Sequence, residues 1–141
     1  MQDSVNLKFQ QLILRFHQLG GELPPLERFD ITPAQVVYLD FLAKHPDCRL
    51  SQLTDALQYS SASVSAMVST LSTKGLVRKT QEPFDGRAVS ISLTEKGRRV
   101  VFEIEEFRNQ RVEMILKGLD EEEKRTLLGL IIKAISKKEE G

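Results

Sequence analysis

The stretch 50–77, LSQLTDALQYSSASVSAMVSTLSTKGLV, decides the fold. It breaks in two around Gln58-Tyr59. Before the break, Leu53, Ala56 and Leu57 form one apolar stripe, with Ser51 placed to cap the helix that carries them. After it, Ser60 is placed to cap a second helix. Val64, Met67, Val68 and Leu71 repeat at i, i+3, i+4 and i+7, so that helix has one buried face. Gly75 suits its C-terminal end, where a left-handed residue is needed. The outward positions are small and mostly hydroxylated: Ser61, Ser63, Ser65, Ala66, Ser69 and Thr70. Two short helices across a tight turn make a helix-turn-helix.

Upstream, Thr32-Pro33-Ala34-Gln35 opens another helix, with Thr32 as cap, Pro33 at the first helical position and Gln35 as capping-box partner. It carries Val36, Val37, Leu39, Phe41 and Leu42 and stops before His45-Pro46, because a residue preceding proline avoids helical geometry. Cys48 is expected in a short strand. Downstream, residues 76–80 and 89–93 read as strands, the second alternating cleanly as Val-Ser-Ile-Ser-Leu. The link between them holds Pro83 and Asp85-Gly86, which makes a β-hairpin. Thr94 then caps a long helix running to about residue 116. Asp120-Glu121-Glu122-Glu123 opens a last helix with acids at its positive end, striped by Leu127, Leu128, Ile131, Ile132 and Ile135. At the other end, Val5, Phe9, Leu12, Ile13 and Phe16 give residues 4–19 helical spacing before GGELPP breaks it.

The chain has 141 residues, a length typical of one domain, with 20 basic and 20 acidic side chains. Global charge therefore favours no partner. Local charge does: residues 74–99 hold seven Lys or Arg against three acids, a net charge of plus four. No apolar run is long enough for a membrane span, so no membrane partner is expected. The opening MQDSVNLKFQ lacks an export-signal pattern, so a cytoplasmic location is expected. One cysteine and two histidines, far apart, argue against a metal centre, and no cofactor is expected. No nucleophile-base-acid set or phosphate loop is visible, so an enzyme is not expected.

The order helix, helix-turn-helix, hairpin is a winged helix-turn-helix. This architecture suits duplex DNA, because a helix fits the major groove. Residues 61–74 are the expected reader. The expected DNA-binding set is Ser60, Ser61, Ser63, Ser65, Ser69, Thr70, Lys74, Arg78, Lys79, Asp85 and Arg87. From the turn alone, Arg87 reads first as a solvated arginine beside Asp-Gly, and only second as a DNA contact. With the helix-turn-helix upstream, it reads as a guanidinium aimed at the narrow, negative minor groove, steadied by Asp85.

The segment LSQLTDALQYSSASVSAMVSTLSTKGLVRK, the wing DGRAVSISLTEKGR and the apolar terminal helices resemble the MarR (multiple antibiotic resistance regulator) family over nearly the whole chain. The resemblance implies a mainly α fold with a small β-hairpin wing, and a homodimer binding palindromic double-stranded operators. It also implies repression released by a small-molecule effector. It divides the single domain 1–141 into a DNA-binding core, 31–94, and dimerisation segments, 1–30 with 95–141. Arg87 takes the family's minor-groove position and Asp85 its supporting acid. Effector candidates are Phe9, Arg15, Phe16, Tyr38 and Phe41. Relatives often carry arginine at Ala66, glycine at Gln58 and a second arginine at Gly86, so weaker DNA affinity and a strained turn at Gln58 are expected. Family oxidant-sensing cysteines lie near the start of the first helix, unlike Cys48, which is expected to be inert. The uncharged reader helix leaves a second reading, a winged-helix protein-interaction module without DNA binding.

Overall fold

The computed structural model describes residues 2–19, 26–82, 84 and 88–140. Six helices and three strands follow in order, with a 3-10 turn at Leu26–Phe29. They are α1 (Gln2–Leu19), α2 (Pro33–Lys44), β1 (Cys48–Arg49), α3 (Leu50–Leu57), α4 (Ser61–Thr73), β2 (Val77–Gln81), β3 (Val89–Leu93), α5 (Glu95–Ile115) and α6 (Glu121–Glu140). The fold is mostly helical with one small antiparallel sheet, a winged helix-turn-helix, as the residue pattern predicts. The chain forms two compact units: Pro24–Glu106, and Met1–Leu23 with Phe107–Gly141.

The Pro24–Glu106 unit holds the core. Leu39, Leu53, Val64, Leu71 and Ile91 are closed to solvent. Their shared burial is what joins α2, the helix-turn-helix and the sheet. Cys48 and Val77 lie in the same cluster. The ends of the elements are held by side chains the sequence marks. Gln35 N–H donates to Thr32 Oγ1 (3.2 Å) and Thr32 N–H to Gln35 Oε1 (3.1 Å), a closed capping box. Ser60 Oγ accepts from Ser63 N–H (3.1 Å) and starts α4. Gly75 sits at φ 75° just past the end of α4.

Two expectations in this unit are corrected. Ser51 is not the cap of α3, which already begins at Leu50. Strand β1 runs straight into that helix, and Gln52 Oε1 caps in reverse by accepting from Arg49 N–H (2.9 Å). Ala56 is exposed rather than part of the buried stripe, because the short α3 turns only a narrow face inward, centred on Leu53.

Gln58 has φ 57° and ψ 33°, the left-handed conformation. Asp30 and Asp47 also have positive φ, but aspartate tolerates that region through local hydrogen bonding and glutamine does not. Replacing Gln58 with glycine removes the Cβ strain and adds unfolded-chain entropy. The net expectation is a gain of about 0.5 to 1 kcal/mol in chemical denaturation. A loss of stability would contradict the strained-turn reading.

The sheet order is β1-β3-β2, antiparallel throughout. The register pairs Val77 with Leu93, Lys79 with Ile91, and Cys48 with Ile91. Opposite residues share a face. Val77, Lys79, Ile91, Leu93 and Cys48 thus lie on the core side, and Arg78, Thr80, Ser90, Ser92 and Arg49 on the other. At the hairpin's exit Thr94 makes three bonds. Its N–H donates to Leu76 O (3.1 Å). Its hydroxyl donates to Gly75 O (2.6 Å) and accepts from Gly97 N–H (3.0 Å).

In the other unit, α6 opens with a reciprocal cap: Glu123 N–H donates to Asp120 Oδ1 (2.8 Å) and Asp120 N–H to Glu123 Oε1 (3.0 Å). Its apolar side chains stay open. Phe9 is 59% exposed, Ile13 55%, Ile132 54% and Ile135 53%. A single copy of the chain leaves these helix faces uncovered. No described helix is long and apolar enough to cross a membrane.

Candidate nucleic-acid interface

Helix α4 buries Val64, Val68 and Leu71 and turns Ser61, Ser63, Ser65, Ser69 and Thr70 to solvent. Some of these hydroxyls are already engaged. Ser60 Oγ donates to Ser63 Oγ (2.8 Å). Thr70 Oγ1 donates back to Ala66 O (3.1 Å). Lys79, on the core side of β2, reaches across and donates from Nζ to Ser69 Oγ (3.3 Å). Two expected contact residues from different elements therefore meet, and one ammonium stands beside an otherwise uncharged helix.

The structure moves two of the expected cations away from that face. The Lys74 ammonium donates to Asp30 O and to Gln35 Oε1 (3.1 Å). It ties the end of α4 to the start of α2 and is a scaffold clamp, because Gln35 is 6% exposed and its amide oxygen needs donors. Arg78 projects from the sheet face opposite α4, as strand alternation requires. There it lines a hollow of about 590 Å³ with Ser92, Arg98, Phe102 and Glu105. Two further cations of the basic segment also bind carbonyls. Lys96 Nζ donates to Lys74 O (2.9 Å) and Arg98 to Leu93 O (3.0 Å). Much of the local positive charge thus closes element ends.

Asp85, Gly86 and Arg87 lie outside the described residues. The base of their loop is described: Glu82 N–H donates to Ala88 O (2.9 Å), and Ser90 Oγ donates to Glu82 Oε1 (2.6 Å).

Sequence reasoning missed a second part of the face. Arg49 from β1, Leu50, Ser51, Thr54 and Asp55 along α3, Ser61 from α4, and Ala88 and Val89 at the hairpin base line one concavity of about 450 Å³. It brings two helix N-termini and the hairpin base to one place. Backbone N–H groups at helix N-termini suit phosphate oxygens. The available signal was the run Arg49-Leu50-Ser51 at the head of the helix-turn-helix.

Of the effector candidates, Phe9 and Phe16 are exposed on α1, which also carries Arg15. Tyr38 and Phe41 belong to the other unit. Tyr38 is 3% exposed, a core residue whose phenol burial pushes upward in pKa. Phe41 stacks on His45 at 4.1 Å between ring centroids. Cys48 is buried and donates to Arg49 O (3.3 Å). Burial pushes its thiol up, away from the reactive thiolate. Among the described residues, no three His, Cys, Asp or Glu side chains gather to hold a metal.

Known proteins share this arrangement. The sequence profile of the MarR family matches residues 29–88. The HTH-type transcriptional repressor MdtR of Bacillus subtilis is 29% identical over 98 residues, 69% of this chain and 61% of that protein. The chain thus spans under two thirds of that relative's length. The crystal structure of YusO from Bacillus subtilis matches at TM-score 0.77 and 25% identity, over 96% of this chain and 94% of that one. MepR from S. aureus, solved with ethidium bromide bound, matches at TM-score 0.72 and 25% identity over 94% of both chains. With a helix-turn-helix, a wing beside it and these matches, the chain is similar to MarR-family proteins, most directly over residues 29–88.

Proposed function

We propose that this chain is a DNA-binding transcriptional regulator that acts in the cytoplasm as a homodimeric repressor on a palindromic operator and is released by a small-molecule ligand. Residues 31–94 read DNA, and 1–30 with 95–141 dimerise. Helix α4 enters the major groove, with Ser65 and Ser69 at base edges and Ser61 and Ser63 towards the backbone. Lys79 supplies charge beside it. The wing carries Arg87, steadied by Asp85, to the adjacent minor groove.

The observation that carries this reading is the exposed, small-residue face of α4, flanked by Lys79 and by the two helix N-termini of the concavity. Such a face has no bulk to keep it out of a groove. The uncovered apolar faces of α1 and α6 support pairing of two copies. The 21 residues of α5 give it a length of about 31 Å, comparable to the roughly 34–36 Å between successive major-groove half-sites. Ligand release is supported by the family resemblance alone.

The test is fluorescence anisotropy of the full chain on a pool of random duplexes at two salt concentrations. Affinity should fall steeply with salt, with a log–log slope of about −0.9 for each phosphate neutralised. Binding that ignores salt, or none at low salt, would contradict the proposal. One observation favours a different reading: α4 contains no charged residue, which suits a protein-interaction module. The same titration separates the two readings.

A further inference from the structure

Phe84 stands out among the exposed apolar side chains. It is 101% exposed, whereas no other large apolar residue among those described exceeds 64%. Most of the others lie on helices, several on the α1 and α6 faces that a second copy would cover. Phe84 lies instead in the hairpin loop, between β2 and β3, in the wing that the proposed function places on DNA. The loop has a firm base. Gln81 pairs with Val89, Glu82 N–H bonds Ala88 O, and Ser90 holds the Glu82 carboxylate. Only residues 83–87 lie beyond that closure, so a fully exposed aromatic ring sits in the wing loop three positions before Arg87 in the sequence.

We infer that Phe84 is an apolar wedge that presses between base steps in the minor groove the wing enters. This rests on the DNA-binding reading and extends it to a specificity-determining residue. An aromatic ring fully in water gains by stacking on any base face, whatever its hydrogen-bond pattern. A wedge of this kind unstacks one step and kinks the duplex, so it favours sequences that deform cheaply, the TA and CA/TG steps. The wing then selects sequence by deformability, and a hydroxylated reader helix with weak base discrimination gains a second source of selectivity.

The probe is a duplex recovered from a random pool by the full wild-type chain, with 2-aminopurine at the flexible step in the half of the site the wing faces. Wild-type binding should raise 2-aminopurine fluorescence. Phe84→Ala should lose at least about tenfold in affinity, leave the salt slope unchanged because no charge is removed, and leave fluorescence quiet. Phe84→Trp should restore both. Because the ring is fully exposed, thermal unfolding of Phe84→Ala should match wild type. Equal affinity and equal fluorescence for Phe84→Ala would overturn the wedge while leaving DNA binding intact. A wild type that recovers no duplex would overturn the DNA-binding reading, and the wedge with it.

Discussion

Gly97→Ala is expected to cost about 3 to 5 kcal/mol of stability, a large share of what a domain of this size has. A Cβ at Gly97 would run into the Leu76 carbonyl oxygen and stand 3.3 Å from Leu93 Cδ2. The first obstacle is backbone and cannot rotate away. Helix α5 must lift off the hairpin, and the lift breaks what Thr94 holds: its N–H to Leu76 O and its hydroxyl to Gly75 O. The clash and the exposed or orphaned groups act together. The same substitution at Gly129, in α6 with nothing within 4 Å of a new Cβ, should be neutral or gain up to about 1 kcal/mol, since alanine is the better helix former. Urea unfolding of the two variants checks both. A Gly97→Ala midpoint equal to wild type would mean that the close seating of α5 on the hairpin is wrong.

Arg87→Ala is expected to weaken binding to a selected duplex about 10- to 100-fold and to make the salt slope shallower by about one per subunit. A guanidinium in a narrow minor groove combines charge with a planar fork of donors, so Arg87→Lys should recover only part of the loss. Asp85→Asn should shift affinity in the same direction by less. The hairpin base is closed by Glu82, Ala88 and Ser90, so unfolding should be unchanged. A Kd within about twofold of wild type would remove Arg87 from the interface.

The sequence was most informative where the determinants are local. Thr32 with Gln35, Ser60, Gly75 and Thr94 mark helix ends within a few residues of themselves, and the structure uses each one as the pattern predicts. The left-handed Gln58 was legible only through the resemblance, since relatives often place glycine there. What failed depends on partners distant in the chain. Ser51 was misplaced because β1, set by its pairing with β3, feeds directly into α3. Arg78 and Lys79 look equivalent in the sequence. Only the β2–β3 register puts one beside α4 and the other on the opposite face, and a one-residue slip would exchange them. Lys74 looked like a DNA contact until its partners, 39 and 44 residues away, were visible. The concavity joining α3, α4 and the hairpin base has no sequence signature, since its lining comes from three separate elements.

The central claim is that two copies of the chain hold one duplex together, each with α4 in a major groove and a wing at the neighbouring minor groove. Hydroxyl-radical footprinting of a selected duplex bound by the full chain measures this most directly. The account predicts two symmetric protected patches on the same side of the helix, about 10 base pairs apart between centres, each flanked by a minor-groove patch that fades with Arg87→Ala. A single unsymmetric patch, or uniform cleavage at low salt, would contradict it.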